Sequence, residues 1–275
     1  MKLRNSGLFL GGLCLLVAGG LALAQFLPED IAARPKWEEF LTTAKIVSGE
    51  QMTGPESVTN PWRLVLEKDG VRNDALWKNV YGRPKGYIDS WKYEVAAYRL
   101  DKLLGLGMVP PTISRDYNGI GSLQLWVESW MTLKKKVEDK VKMPSYKIGF
   151  WNRALYLQRF FDNLIGNEDR HQNNYLITKD WRLYLIDHSR SFRTSGKFLK
   201  ELLYTDKRSE GPMEMLELPR VLVDKIKTWN FDMLRQAVGD MLTDDEINAV
   251  LTRRDLVLKE IDKICKRNKE ENVLY

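Results

Sequence analysis

The chain has 275 residues, 44% of them hydrophobic and 29% charged, which suits one large domain or a two-lobed one with an ample core. Its 43 basic and 37 acidic side chains leave a net charge of +6, too mild to argue for a nucleic-acid partner. With only two cysteines, and those far apart at positions 14 and 265, no Cys-based metal site is available.

The N-terminus departs from this globular composition. Lys2 and Arg4 precede an apolar run from Leu8 to Leu23, and Ala22-Leu23-Ala24 supplies small residues at an A-x-A-type cleavage site. Residues 1–24 therefore read as a secretory signal cut after Ala24. An uncleaved anchor is the alternative, because the run approaches membrane-spanning length. A lipoprotein signal fits poorly, since the bulky Leu13 precedes Cys14. Either way the domain is exported, to a periplasm, a secretory lumen or the exterior, and is membrane-anchored if the leader is retained. Without residues 1–24 the balance is 41 basic against 37 acidic, or +4, and Cys265 is the only cysteine, so no intrachain disulfide can form. No Asn-x-Ser/Thr sequon occurs, which leans toward a bacterial source.

No repeat and no low-complexity tract interrupts the rest. Residues 25–42 read as a linker, Pro28 to Pro35, followed by a short packing segment, Trp37 to Leu41. From Thr43 the period shortens to that of strands: Thr43–Ser48, the alternating Arg63–Glu67, a turn at Lys68-Asp69-Gly70, then Asp74–Val80. Gly49 to Pro61, between the first two strands, holds two glycines and the hydroxyls of Thr53, Ser57 and Thr59; by itself it is equally an ordinary surface loop. Ser90 caps a helix that carries Glu94 and runs through Leu104 to a stop at Gly105. Lys78 lies sixteen positions before Glu94, a gap that lets a strand lysine meet the first turn of a helix packed on its sheet; a surface ion pair is the plainer alternative.

Gly107–Ile113 leads into a strand and Ser122–Val127 is a buried one, ending at Glu128-Ser129-Trp130. Lys134, Lys135, Lys136, Lys140 and Lys142 then crowd a surface segment, either a plain solvated face or a contact for a phosphate-rich or membrane surface. Phe150 to Leu164 is helical in pattern. After Arg193 a basic, polar stretch to Gly211-Pro212 reads as a mobile loop. The tail is helical over Leu218–Trp229, Phe231–Met241 and a last helix capped by Thr243 with Glu246 three residues on.

The densest set of functional side chains is Asn163 to Arg193, which contains both histidines. Tyr175–Thr178 and Arg182–Ile186 flank Lys179-Asp180, a hairpin pattern. With the hairpin centred between Asp180 and Trp181, opposed residues sum to 361, so Asn174 and Asp187 emerge side by side with Asp169 just upstream. Two carboxylates and an amide oxygen would then seat a hard divalent cation; a polar cluster around an ordinary hairpin is the alternative. Asp162 and Glu168 read as surface or loop contacts without a role, and His188 as a structural residue.

Gly166-Asn-Glu-Asp169-Arg170-His171-Gln-Asn-Asn174, followed by Ile186-Asp187-His188, resembles the D-R-H-x-x-N and I-D-[FH] loops of the atypical branch of the protein-kinase-like fold. That branch includes phosphatidylinositol 3-/4-kinases, actin-fragmin kinase, HipA-like kinases and Golgi secretory-pathway kinases. The resemblance covers roughly residues 45 to 265, is strong at 163–193, and picks out no single family. It implies an α+β, two-lobed fold: a small β-rich lobe at 43–128 that binds nucleotide, and a larger, mostly α lobe at 129–275 with a catalytic hairpin. It implies a metal-dependent kinase that moves phosphoryl from ATP to a hydroxyl of a protein, lipid or sugar. Asp169 would orient or deprotonate the acceptor, with Arg170 and His171 bracing the loop or steadying the transferring group. Asn174 and Asp187 would hold Mg²⁺ or Mn²⁺. Lys78, oriented by Glu94, would hold the donor phosphates, with Thr53, Ser57 and Thr59 in the covering loop and an adenine contact near Glu128–Trp130. The rival is a pseudokinase that binds nucleotide or metal as a regulatory module; its usual mark, loss of one of these residues, is absent.

Expressed with its own leader, the mature protein is expected to begin at or near Gln25. N-terminal sequencing of the exported material checks this, and soluble cytosolic protein of full length would rule it out.

Overall fold

The computed structural model describes residues 28–54, 60–83, 86–208 and 211–275. The leader, and Ser57 and Thr59 of the expected phosphate loop, lie outside them. The segment read as a linker is helical: α1 (Pro28–Ala32) runs into α2 (Arg34–Thr43). Prolines 28 and 35 sit in first turns, where a missing N–H costs no hydrogen bond, so they mark helix starts. Phe40 and Leu41 of α2 are buried, as the packing-segment reading expected.

β1 (Lys45–Gln51), β2 (Trp62–Lys68) and β3 (Val71–Lys78) follow as an antiparallel meander. Asp69 and Gly70 both take positive φ, 50° and 76°, the backbone a two-residue hairpin turn demands. The short strands β4 (Tyr81–Gly82) and β5 (Asp89–Ser90) pair and deliver the chain to α3 (Trp91–Leu104). β6 (Thr112–Asp116) and β7 (Ile120–Leu125) return to the main sheet, whose order is β1-β2-β3-β7-β6. Alternation divides the two faces of β3. Ala75 and Trp77 join Leu64, Leu66, Leu123 and the α2 residues in a first core, while Leu76 and Lys78 line a cleft.

β8 (Met131–Thr132), α4 (Leu133–Glu138) and α5 (Ile148–Ile165) open the second half. The hairpin of β9 (Tyr175–Ile177) and β10 (Leu183–Leu185) comes next, with β8 on its far side. Helices complete the chain: α6 (Gly196–Lys200), α7 (Arg220–Lys227), α8 (Phe231–Val238), α9 (Asp244–Asn268) and α10 (Glu270–Val273). α9 begins with the full capping box of Thr243 and Glu246. These elements enclose a second, larger core that also takes in Trp91, Val95 and Leu104 of α3. The fold is thus α+β with two cores, and α3 packs between the sheet and the helices. Among the described residues, both cores and the residues packed against them lie between Trp37 and Leu274. Among the described residues no helix is long and apolar enough to cross a membrane.

Two latches hold α3. Ser90 Oγ accepts from Lys92 N–H at its start, and Gly105 ends it at φ 79°. Asp101, fully buried, accepts from the backbone N–H groups of Gly107, Met108 and Val109 and from Arg34 of α2 at 2.8 Å. The stretch after Arg193 is not the free loop its composition suggested. Phe198 and Tyr204 are buried, and the Asn163 side-chain amide pairs with both backbone groups of Tyr204, at 3.0 and 2.9 Å.

Gly121 of β7 has no room for a side chain: a Cβ there would lie 2.4 Å from the Lys78 carbonyl oxygen and 2.8 Å from the Trp77 indole nitrogen. Gly121→Ala is therefore expected to push β7 off β3 and to cost about 1–3 kcal/mol in urea unfolding. An unchanged unfolding midpoint would show that β3 yields without cost.

Candidate functional site

Lys78 ends β3 facing the cleft, and its residue is only 7% exposed. A buried ammonium needs anionic partners, and it has two: Glu94 Oε1 of α3 and Asp187 Oδ1 after β10, each at 2.8 Å. Burial alone would lower the lysine pKa; Asp187 and Glu94 together override it, and the net shift is upward. Burial likewise opposes ionisation of Glu94, but Lys78 and the His188 ring, whose Nδ1 lies 3.6 Å from Oε2, hold its carboxyl well below the ordinary value of 4.5. The His188 backbone N–H also donates to Oε2, at 2.9 Å. The sixteen-residue gap was enough to bring Lys78 and Glu94 together.

The cleft beside them is about 1000 Å³ in volume. Its apolar lining comes from Met52, Pro61, Leu76 and Leu125 of the small lobe and from Leu176 and Ile186 of the hairpin. Trp126, Val127 and Ser129, where the chain passes between the cores, line it too. Its charged lining is Lys78, Asp89, Lys134, Glu138, Asp169, Asp187 and Arg190. His171 and Asn174 also line the wall. Thr53 is exposed and is not among the lining residues, so the described part of the Gly49–Pro61 loop brings only Met52 and Pro61 to the cleft.

Asn174 and Asp187 do converge on this wall, but not by the expected register. Leu183 pairs with Ile177 and Leu185 with Tyr175, sums of 360, and Asn174 O accepts from Ile186 N–H. The turn is a three-residue loop, 179–181, in which Trp181 takes φ 69°. Packing explains a left-handed tryptophan: its ring is buried edge-on between Trp130 at 5.6 Å and Trp151 at 6.1 Å. Asp187 then reaches the cleft because its own φ is 60°, which turns the chain out of the strand and onto Lys78.

Asp169 is half-buried at the wall. Burial raises its carboxyl pKa above the ordinary value, against the pull of Arg190, whose Nη1 lies 3.2 Å from Oδ2. Its backbone carbonyl accepts from Asn174 Nδ2 at 2.9 Å, which leaves Asn174 Oδ1 as the oxygen available to a cation. Arg170 does not reach the cleft. Its guanidinium is fully buried, forked onto Asp162 at 2.9 and 3.0 Å, and bonded to the carbonyls of Asn174 and Ile186. It fastens the two chain segments that carry Asp169 and Asp187. Asp162, read as a surface contact, is its buried counter-ion. Glu168 pairs with Arg193 at 2.5 Å. His171 is exposed and caps the turn before β9 through Nδ1 on Asn173 N–H. His188 is wholly buried, with Nε2 2.9 Å from Arg170, which fits a structural role.

Sequence reasoning missed Asp89, Ser189 and Arg190. Asp89, 1% exposed, accepts from Ser189 Oγ at 2.8 Å and from Arg190 Nε at 3.2 Å. Arg190, stacked over the Tyr87 ring at 4.7 Å, thereby bridges Asp89 and Asp169. The one signal was an acid directly before a helix cap, Asp89-Ser90, and the cap alone accounted for it. Glu94, Asp187, Asp169 and Asp89 against Lys78 and Arg190 leave four minus two, or two negative charges. Asn174 and Asp187 bring oxygen donors to this wall, and among the described residues no group of three or more His, Cys, Asp or Glu side chains is placed to hold a metal ion. Neither protein-family models nor curated proteins yield a match for this chain.

Glu94 makes the cluster pH-sensitive in a definite direction. Its folded pKa lies below the unfolded value, so the unfolded chain binds more protons in acid; its contribution is complete above pH 4.5 and lost as pH falls through the folded pKa. Glu94→Gln should be about 3–5 kcal/mol less stable than the parent at neutral pH, because Lys78 loses a buried partner. The gap should narrow below pH 4.5. A gap that stays constant in acid would show that the Glu94 charge contributes nothing.

Proposed function

We propose that this chain is an exported, metal-dependent kinase of the atypical protein-kinase-like class, transferring a phosphoryl group from ATP to a hydroxyl acceptor. The observation that carries the reading is the Lys78 ammonium held at 2.8 Å by both Glu94 and Asp187, in a cleft lined by both charged and apolar side chains. The apolar lining suits a base, and Trp126, Val127 and Ser129 line the same cleft. Lys78 then meets the donor phosphates, Glu94 fixes its direction, and Asp187, which pairs with Lys78, would also hold the cation.

Phosphoryl transfer asks a protein chiefly for positioning and charge neutralisation. Asn174 and Asp187 are the residues that would hold Mg²⁺ or Mn²⁺, which supplies neutralisation of the phosphate oxygens when bound. Asp169, with its raised pKa and partial exposure, accepts the acceptor hydroxyl's proton and orients its oxygen. Arg170 supports both loops from behind, a positioning role. The phosphate-covering role of Thr53, Ser57 and Thr59 belongs to the same proposal. Acceptor chemistry is left at the level of a hydroxyl, whether on a protein, a lipid or a sugar.

Residues 25–275 with labelled ATP and Mg²⁺ or Mn²⁺ test this. Asp169→Asn should keep the nucleotide-dependent rise in Tm and lose about 10²–10⁴ in transfer rate. Asp187→Ala should lose the metal-dependent part of that rise, and Lys78→Met should lower turnover and change the shift. An Asp169→Asn variant as active as the parent would remove the base assignment. Nucleotide and metal binding with no transfer to any lipid, protein or sugar would favour a pseudokinase.

A further inference from the structure

Leu133–Lys147 follows the cleft edge and carries Lys134, Lys135, Lys136, Lys140, Lys142 and Lys147 against only Glu138 and Asp139. Six minus two leaves +4 in fifteen residues, where the whole chain has +6. Apolar side chains face water in and beside this segment: Trp130, 44% exposed, Val137, 53%, Tyr146, 80%, and Ile148, 47%. Ring contacts join the pieces. Trp130 packs edge-on against Trp181, Lys136 Nζ lies 5.9 Å from the Trp181 ring, and Trp181 meets Trp151 of α5. Lys147 Nζ lies 5.5 Å from Phe150 and 6.0 Å from Tyr146. Exposed aromatics and lysines thus share this segment and its flanks.

Asp30 of α1 pairs with Arg182 Nη1 at 3.1 Å, next to Trp181, so α1 lies beside the patch. Where the leader is retained as an anchor, its last apolar residue, Leu23, is five residues from Pro28. Five residues reach at most roughly 17 Å.

We propose that this edge docks on an anionic lipid bilayer, with the lysines on headgroup phosphates and Trp130, Tyr146 and Ile148 in the interface. Lysines gain from an anionic surface, their stems lie along apolar material while the ammonium stays wet, and Trp and Tyr favour the headgroup layer. An acidic soluble protein would satisfy the lysines but, unlike the headgroup layer, gives the exposed Trp130, Tyr146 and Ile148 no apolar layer to enter. The proposal does not depend on the chemistry of the cleft.

Residues 25–275, which contain every described residue of both cores, are mixed with vesicles of phosphatidylcholine alone or rich in phosphatidylglycerol and sedimented at low and high salt. Binding is expected to the phosphatidylglycerol vesicles only and to fall with salt. Each lysine is worth about fivefold, so Lys140→Glu with Lys142→Glu should lower partitioning by about 25-fold or more. Tyr146→Ala should weaken it several-fold. Lys259→Glu with Lys269→Glu, the same charge change on exposed sites near the C-terminus, should leave it within about twofold, given the short range of surface attraction. Equal losses from the two pairs would overturn the proposal, since overall charge would then explain binding. So would a parent protein that ignores phosphatidylglycerol vesicles at low salt, including one that is instead retained on an acidic protein.

Discussion

A lysine ammonium cannot sit in a protein interior alone, and Lys78 draws its two carboxylates from distant parts of the chain. Glu94 comes with α3 and Asp187 with the segment after the hairpin, so the sheet, the helix and the hairpin must be in register with one another before the charge is satisfied. Neighbouring contacts serve the same end. Ser90 N–H, at the α3 cap, donates to the Ser189 carbonyl, and Leu185 N–H, in the hairpin, donates to the Met108 carbonyl. The cleft's shape and its charge are therefore set by one interaction: the groups that neutralise Lys78 are also those that hold its walls in place.

Much of this was legible because local rules carried it. Ser90 and Gly105 bounded α3, Thr243 and Glu246 opened α9, and Asp69-Gly70 turned β2 into β3, each through chemistry confined to a few residues. Lys78 and Glu94 were findable because strand and helix periodicity place both on facing surfaces. Thr53 of the expected phosphate loop is exposed and outside the cleft lining, because hydroxyl and glycine content does not fix where a loop folds.

The misreadings share a cause, which is tertiary packing overruling a local preference. Nothing in Lys179-Asp180-Trp181 announces a tryptophan with positive φ; the indole's burial between two others chooses it, and the hairpin register shifts by one. A one-residue slip would normally turn Asp187 to the opposite face. A second left-handed residue, Asp187 itself, restores its direction. Asp162 reads as a surface or loop contact, and Arg190 goes unnoticed, for a related reason. An acid on a helix and a basic residue in a loop look solvated until the fold supplies Arg170 to one and Asp89 with Asp169 to the other.

Arg34 bears on where the folded unit begins. Its guanidinium is the sole charged partner seen for Asp101 among the described residues, and it also donates to the Val109 carbonyl. A shortened chain starting past Arg34 would strand a carboxylate inside the protein at the base of the helix that carries Glu94. The limit of safe truncation thus falls before residue 34, well upstream of the first strand, and the stretch once taken for a linker is part of the small lobe's foundation.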